Sequence, residues 1–397
     1  MTRKHGLLLV IALVAVLAIV GGVMAGCGSS TTTTTAATTA TTVAPATTTT
    51  ASGPATTASG PTTTAAEETT TTAAAVQNTK IKKIAIITPE VAKDYGWNQQ
   101  GVAAAKNLAT ALGVPIVVND GAGYGDISPI MRQQVQAGAD FIIPFASGYN
   151  TVGPTVAQQL KVPTIVIGGN EQGNVPGLCQ DIETNAQDGA YLAGVLAAKT
   201  TKSKTVGIVI SADDENWTKM AAGFATGVRA TDPSVKMLMA QVGQAAYADA
   251  AAAKRTTQSV IAGGADIIFG MGDGASFGEM QAVETATPPA GATKVWFIDV
   301  IGDKTGIDTK GVLLSSQIWD YTPAFQAAAD ALNSGTFGSK VLYINLENNG
   351  IGLLKTKYIA DDVWTAIEAA KADIISGKIS VPVITDKSQV DKIVKGQ

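Results

Sequence analysis

Two stretches of this chain are nearly the same phrase: GADFIIPFASG (Gly138–Gly148) and GADIIFGMGDG (Gly264–Gly274). Each follows a run that reads as a helix, DISPIMRQQVQA before the first and DAAAAKRTTQSVIAG before the second. Each then passes through a short apolar run into small, turn-forming residues. A continuous apolar run bounded by glycine is the signature of a parallel strand buried on both faces. The Gly, Ser and Asp that follow fit a loop at the strand's carboxyl end, where open α/β sheets take their ligands. The repetition therefore predicts two similar sheets facing one another across a cleft.

Working outward, strand and helix patterns alternate from Lys80 onward. KIAIIT (Lys83–Thr88) and PIVVN (Pro115–Asn119) read as strands flanking a helix over Asn98–Leu112; a helix over Ile127–Ala137 follows. After FIIPF come a helix over Val152–Leu160, the strand PTIVIG, and a helix over Thr184–Thr200 with Thr184 as its expected N-cap. TVGIVI (Thr205–Ile210) restarts the cycle, which runs to the strand KVWFIDV (Lys294–Val300). Strands alternating with helices of this length imply parallel sheets with right-handed crossovers. The tail carries strands VLLSSQ and VLYINL and two more helices, so the chain is expected to cross between lobes several times and form a hinge. The expected division is 80–184 with 301–340 for the first lobe and 185–300 with 341–397 for the second.

The start of the chain reads differently. Arg3 and Lys4 precede an apolar run that ends in Met24-Ala25-Gly26-Cys27, the layout of a secretory signal peptide over 1–26. The small residues before Cys27 resemble a bacterial lipobox, which predicts a lipid on Cys27; an uncleaved membrane anchor is the alternative. Both place the remainder outside the cytoplasm at a membrane. Residues 27–79 are rich in Thr and Ala, and past Cys27 they lack aromatic residues. With so little apolar area they are expected to be a disordered tether, reaching on the order of 40 Å.

Composition excludes several chemistries. The net charge of −4 and 15% charged residues leave nothing basic enough for nucleic acid. The single histidine, His5, lies in the signal segment, which removes histidine triads and histidine metal sites from the mature protein. Cys179 is the only cysteine besides Cys27, so no intrachain disulfide is expected once Cys27 is lipidated. No cofactor and no catalytic activity are expected.

Candidate ligand contacts gather at predicted strand ends. In PEVAKDYGWNQQG (Pro89–Gly101), Asp94 can cap the helix, Trp97 offers a flat face and Asn98 can donate and accept. SADDENWTKMAAG (Ser211–Gly223) holds the matching place in the second half, where Trp217 either covers the other face of a ligand or seals its helix. Its acidic run Asp213-Asp214-Glu215 reads as a solvated first helical turn. In GMGDGASFG the glycines, Gly272 among them, allow close backbone approach and Asp273 points into the cleft; the loop lacks the lysine of a P-loop. Asp299 ends its strand near an expected lobe crossing, either to accept sugar hydroxyls or to cap a turn.

These segments together resemble the basic-membrane-protein family, lipoproteins that serve as substrate-binding components of ABC importers and include purine-nucleoside binders. DYGWNQQG resembles that family's Asp-x-Ser-Phe-Asn-Gln loop, with Asp94, Trp97, Asn98 and Gln99 at the matching places. DGAYLAGVLAA, MAAGFATGV, GGADIIFGMGDGASFG and FIDV resemble later blocks, with Asp299 on the Asp of Gly-Val-Asp. The resemblance implies a periplasmic-binding-protein type I fold: two doubly wound lobes with parallel sheets joined by a hinge. It further implies a purine nucleoside stacked between aromatics with its ribose held by acids, and a permease as partner. There are departures: Trp97 stands for the stacking Phe, Trp319 falls where the family has a ribose-contacting Lys, and Pro144-Phe145-Ala146-Ser147 replaces a Gly-rich turn, which brings Phe145 and Ser147 into the candidate site. A sugar or signal molecule is the alternative ligand; a carboxylate-dependent hydrolase is a more distant alternative.

Overall fold

The computed structural model describes residues 79–397; the signal segment, Cys27 and the tether up to residue 78 lie outside the described residues. The first half lays down β1 (Ile84–Ile87), α1 (Trp97–Leu112), β2 (Ile116–Asn119), α2 (Ser128–Gln136), β3 (Phe141–Pro144), α3 (Val152–Leu160), β4 (Thr164–Ile167) and β5 (Cys179–Thr184). The second continues with α4 (Ala186–Thr200), β6 (Thr205–Ile210), α5 (Glu215–Thr231), β7 (Lys236–Gln241), α6 (Ala250–Ala262), β8 (Ile267–Met271), α7 (Ala275–Glu284), β9 (Trp296–Ile301) and β10 (Leu313–Trp319). The tail adds α8 (Thr322–Ser334), β11 (Leu342–Ile344), β12 (Ile351–Leu353), α9 (Asp361–Ile375) and α10 (Lys387–Lys395).

These strands form two six-stranded sheets, ordered β11-β5-β4-β3-β1-β2 and β12-β10-β9-β8-β6-β7. The orders are equivalent, and the repeated phrase supplies the same strand of each, β3 and β8. All pairings are parallel except β10 with β12, which is antiparallel. Strands β1, β3 and β4 are buried at every position, as their unbroken apolar runs require. The molecule is thus two parallel-sheet α/β lobes.

The structure also explains the opening of the phrase. Gly138 (φ 88°) and Gly264 (φ 106°) turn the chain out of the preceding helix in a conformation that favours glycine. The Asp two residues later ties down the segment entering each lobe's first strand. Asp140 accepts from the backbone N–H of Lys82 and Lys83 at 3.0 and 2.9 Å. Asp266 accepts from Thr201 Oγ1 and from the N–H groups of Lys202 and Ser203 at 2.5, 2.6 and 2.9 Å. The motif is written twice because each sheet must anchor its first strand.

The tail is divided otherwise than its order suggests. Residues 301–340, expected in the first lobe, include β10, which pairs with β9 in the second sheet. Residues 341–397, expected in the second, include β11, which pairs with β5 in the first. Helix α8 packs on α1, with Asn107 Nδ2 donating to Thr322 Oγ1 at 3.2 Å, while α9 and α10 pack on α4 and α5. The chain therefore changes sheets between Thr184 and Ala186, between Trp319 and Thr322, and between Ile344 and Ile351. Thr184 is the last residue of β5 and not a helix cap; Asn185 precedes α4, without a capping side-chain bond.

Candidate functional site

The helix that follows the first strand of each lobe begins with the same spacing, Asp-x-x-Trp: Asp94 to Trp97 at α1 and Asp214 to Trp217 at α5. In the first lobe the buried Asp94 carboxylate accepts from the N–H groups of Gly96, Asn98 and Gln99 at 3.1, 2.9 and 3.0 Å. It also accepts from Asn98 Nδ2 at 2.7 Å, and Asn98 Oδ1 accepts the Glu90 N–H at 3.2 Å. Asp94 and Asn98 thus hold the loop that carries Trp97, and neither is among the residues lining the cavity between the lobes. In the second lobe Asp214 caps α5, accepting from Asn216 N–H at 2.8 Å, and its other oxygen accepts the Tyr247 hydroxyl at 3.0 Å. Such caps satisfy helix-end N–H groups that have no partner within the helix.

Both indoles are then fixed from behind. Trp97 stacks on Phe145 with centroids 4.5 Å apart and planes 26° apart, and its Nε1 donates to the Phe145 carbonyl at 3.0 Å. Trp217 Nε1 donates to Ser211 Oγ at 3.0 Å. The close approach of α1 to Phe145 needs Gly101, where a Cβ would sit 2.3 Å from the ring.

Between the lobes these elements form a cavity of about 190 Å³. Its aromatic walls are Trp97, Tyr124, Trp217, Tyr247 and Trp319, its polar groups Ser147, Asp214, Asn216 and Asp273. Of the candidates read from sequence, Trp97, Ser147, Trp217, Asp273 and Trp319 meet here. Phe145 is fully buried behind Trp97, and Gly272 is packed against Ala275 and Ser211, so neither faces the cavity.

Asp299 is the main departure. It lies on β9, whose chain returns into the same sheet as β10, so it does not stand at a lobe crossing. It is wholly buried and paired with the equally buried Lys304, away from the cavity lining. Burial raises its carboxyl from the usual range and Lys304 opposes that rise. Glu279 adjoins the pair with both oxygens lacking a hydrogen-bond partner. Burial, with repulsion from Asp299, raises it well above an ordinary carboxyl. Lys304 also donates to the Tyr95 carbonyl of the opposite lobe at 3.2 Å. Gly302 permits that meeting, since a Cβ there would lie 1.9 Å from the same carbonyl oxygen.

Sequence reasoning missed Tyr124 and Tyr247, which come from opposite lobes and stack at 6.4 Å with planes 21° apart. Tyr124 donates to Glu90 Oε1 at 3.1 Å. Neither tyrosine belongs to a periodic pattern; their loops follow β2 and β7 at corresponding places, and that symmetry was the available signal. Asp214 was read as solvated, whereas it caps its helix and lines the cavity as well.

Comparison with known proteins agrees with this architecture. A nucleoside-binding protein of an ABC transporter, BmpA of Lactococcus lactis subsp. cremoris, is 31% identical over 209 residues, 49% of this chain and 58% of that protein. This chain therefore spans less than two thirds of that relative. Basic membrane protein D of Borreliella burgdorferi is 21% identical over 326 residues, covering 80% of this chain and 92% of its own length. In fold, an ABC transporter solute-binding protein from Conexibacter woesei superposes with a TM-score of 0.64 at 22% identity, covering 77% of this chain and all of that one. One from Aeropyrum pernix gives 0.66 at 18% identity, covering 79% and 96%. Both have the periplasmic-binding-protein type I architecture expected above. The model of the Bmp family, described as ABC transporter substrate-binding protein PnrA-like, matches residues 81–385, and the chain belongs to that family.

Proposed function

We propose that this protein captures a purine nucleoside outside the cell, closes its lobes on it and presents it to the permease of an ABC importer. The observation that carries this reading is the pair of indoles, Trp97 and Trp217, delivered to one cavity by equivalent Asp-x-x-Trp turns of the two lobes. Flat faces supplied from both sides suit a planar base, and base–aromatic stacking contributes ~1–3 kcal/mol per base. The Lactococcus relative described as nucleoside-binding supports the same ligand class. Cys27 is the proposed point of lipid attachment, with the Thr-rich segment as tether.

Calorimetric titration with inosine, guanosine, hypoxanthine and ribose tests the ligand class. Binding of the nucleosides and of the free base is expected. Affinity for ribose or a hexose with none for any purine overturns the nucleoside and leaves a sugar-binding protein of the same fold. The anchor is tested separately: Cys27→Ala should move the protein out of the membrane fraction or leave an uncleaved precursor.

A further inference from the structure

Two residues that line the cavity each carry a buried polar atom with no hydrogen-bond partner in the protein. Trp319, the last residue of β10, is 1% exposed and its Nε1–H is unpaired. Asp273, just beyond β8, is 6% exposed and its Oδ1 is unpaired. Strands β8 and β10 flank β9, so the two groups stand at strand tips on either side of it and line the same cavity. A buried donor or acceptor left without a partner costs about 1–3 kcal/mol, so two at one cavity mark where a ligand completes the wall.

Resting on the nucleoside reading above, we infer that Asp273 and Trp319 form the recognition pair of the cleft, bonding acceptor atoms of an uncharged ligand and turning away its anionic relatives. The Trp319 indole can only donate. The Asp273 carboxyl is pushed up to about 8, first by burial and then by the charges of Asp94 and Glu90. Lys304 and the Trp97 N–H only partly oppose that shift. Asp214, Tyr124 and Tyr247 are the other titratable groups at the cavity wall. At neutral pH Asp273 therefore keeps its proton and donates as well. None of the residues lining the cavity is Lys, Arg or His, and Lys304 is held by Asp299, so a phosphate would meet carboxyl groups and no free cation.

The test is calorimetry with inosine and inosine 5′-monophosphate on the wild type, Trp319→Phe, Asp273→Asn and Asp273→Leu, each first checked for a native near-ultraviolet spectrum and melting transition. Trp319→Phe keeps a ring and loses the N–H; it should weaken inosine about 5- to 30-fold. Asp273→Leu should weaken it comparably, while Asp273→Asn, still a donor, stays within about threefold at pH 7. The wild-type affinity relative to Asp273→Asn should fall about tenfold per pH unit above roughly 8, a ratio in which titration of inosine itself cancels. The monophosphate should bind the wild type at least about 100-fold more weakly than inosine. A wild type that ignores nucleosides altogether overturns the reading of the cleft. A wild type that binds inosine, with all variants unchanged, a flat pH ratio or equal affinity for the monophosphate, overturns the recognition pair alone.

Discussion

Asp273 and Asp299 follow or end neighbouring strands, β8 and β9, and both are buried, yet their situations are opposite. Asp299 has a lysine against it and lies outside the cavity; Asp273 has an oxygen without a partner and lines it. A buried carboxylate with its own cation has its charge met within the chain, so it contributes to the architecture at the lobe junction. A buried carboxyl left incomplete on a cavity wall is a place for something from outside the chain. Proximity to the cleft alone separates them poorly; the buried lysine beside Asp299 and the cavity beside Asp273 separate them well.

The largest effect expected from breaking this contrast is on Asp299. Asp299→Ala leaves Lys304 charged, buried and without its carboxylate, which should cost about 3–5 kcal/mol of stability in chemical denaturation. A loss below about 1 kcal/mol would remove Asp299 from its structural role.

The next effect is a pH dependence belonging to Asp273. Its folded pKa, about 8, lies above the ordinary 3.8, so the folded state binds the proton more tightly than the unfolded state. The stability it contributes is fully present below about 3.8 and is lost as pH rises through about 8. Asp273→Asn should therefore gain on the wild type between pH 4 and pH 8, by on the order of 2–4 kcal/mol, in paired denaturant titrations. Parallel curves for the two proteins would contradict it.

Ligand affinity should show a smaller change. Trp97→Ala removes one stacking face and leaves both acids in place; nucleoside and free base should weaken alike, about 10- to 100-fold by calorimetry. Asp299→Ala, measured where the protein is still folded, should change nucleoside affinity much less than Trp97→Ala does. The reverse order would return Asp299 to the ligand.

The smallest effect is expected for Glu279→Gln. Its carboxyl is wholly buried, and burial with repulsion from Asp299 raises it well above the normal range, which favours the uncharged form. The amide has nearly the same shape, and the change in stability should stay under about 1 kcal/mol. A larger loss would mean that Lys304 depends on a charged Glu279 as well as on Asp299.

The sequence by itself determined the two-lobe α/β architecture, because unbroken apolar runs bounded by glycine are local signals and were written twice. It also pointed to Trp97, Trp217 and Asp273, which line the cavity, since ligand sites of open α/β sheets lie at the carboxyl ends of strands. It did not reveal β5, whose residues CQDIET look too polar for a buried strand. There Asp181 accepts from Gly169 and Gly173 N–H at 3.1 and 2.9 Å, and Gln180 donates to the Lys340 carbonyl at 2.7 Å. Nor did it show that β10 and β11 exchange the lobes expected of them, because which sheet edge a tail strand joins depends on distant backbone. Only the tertiary structure brought Lys304 onto Asp299, set Tyr124 over Tyr247 and left Asp273 and Trp319 incomplete. Patterning follows from neighbours a few residues apart, whereas pairing of a buried charge depends on which non-local group arrives beside it.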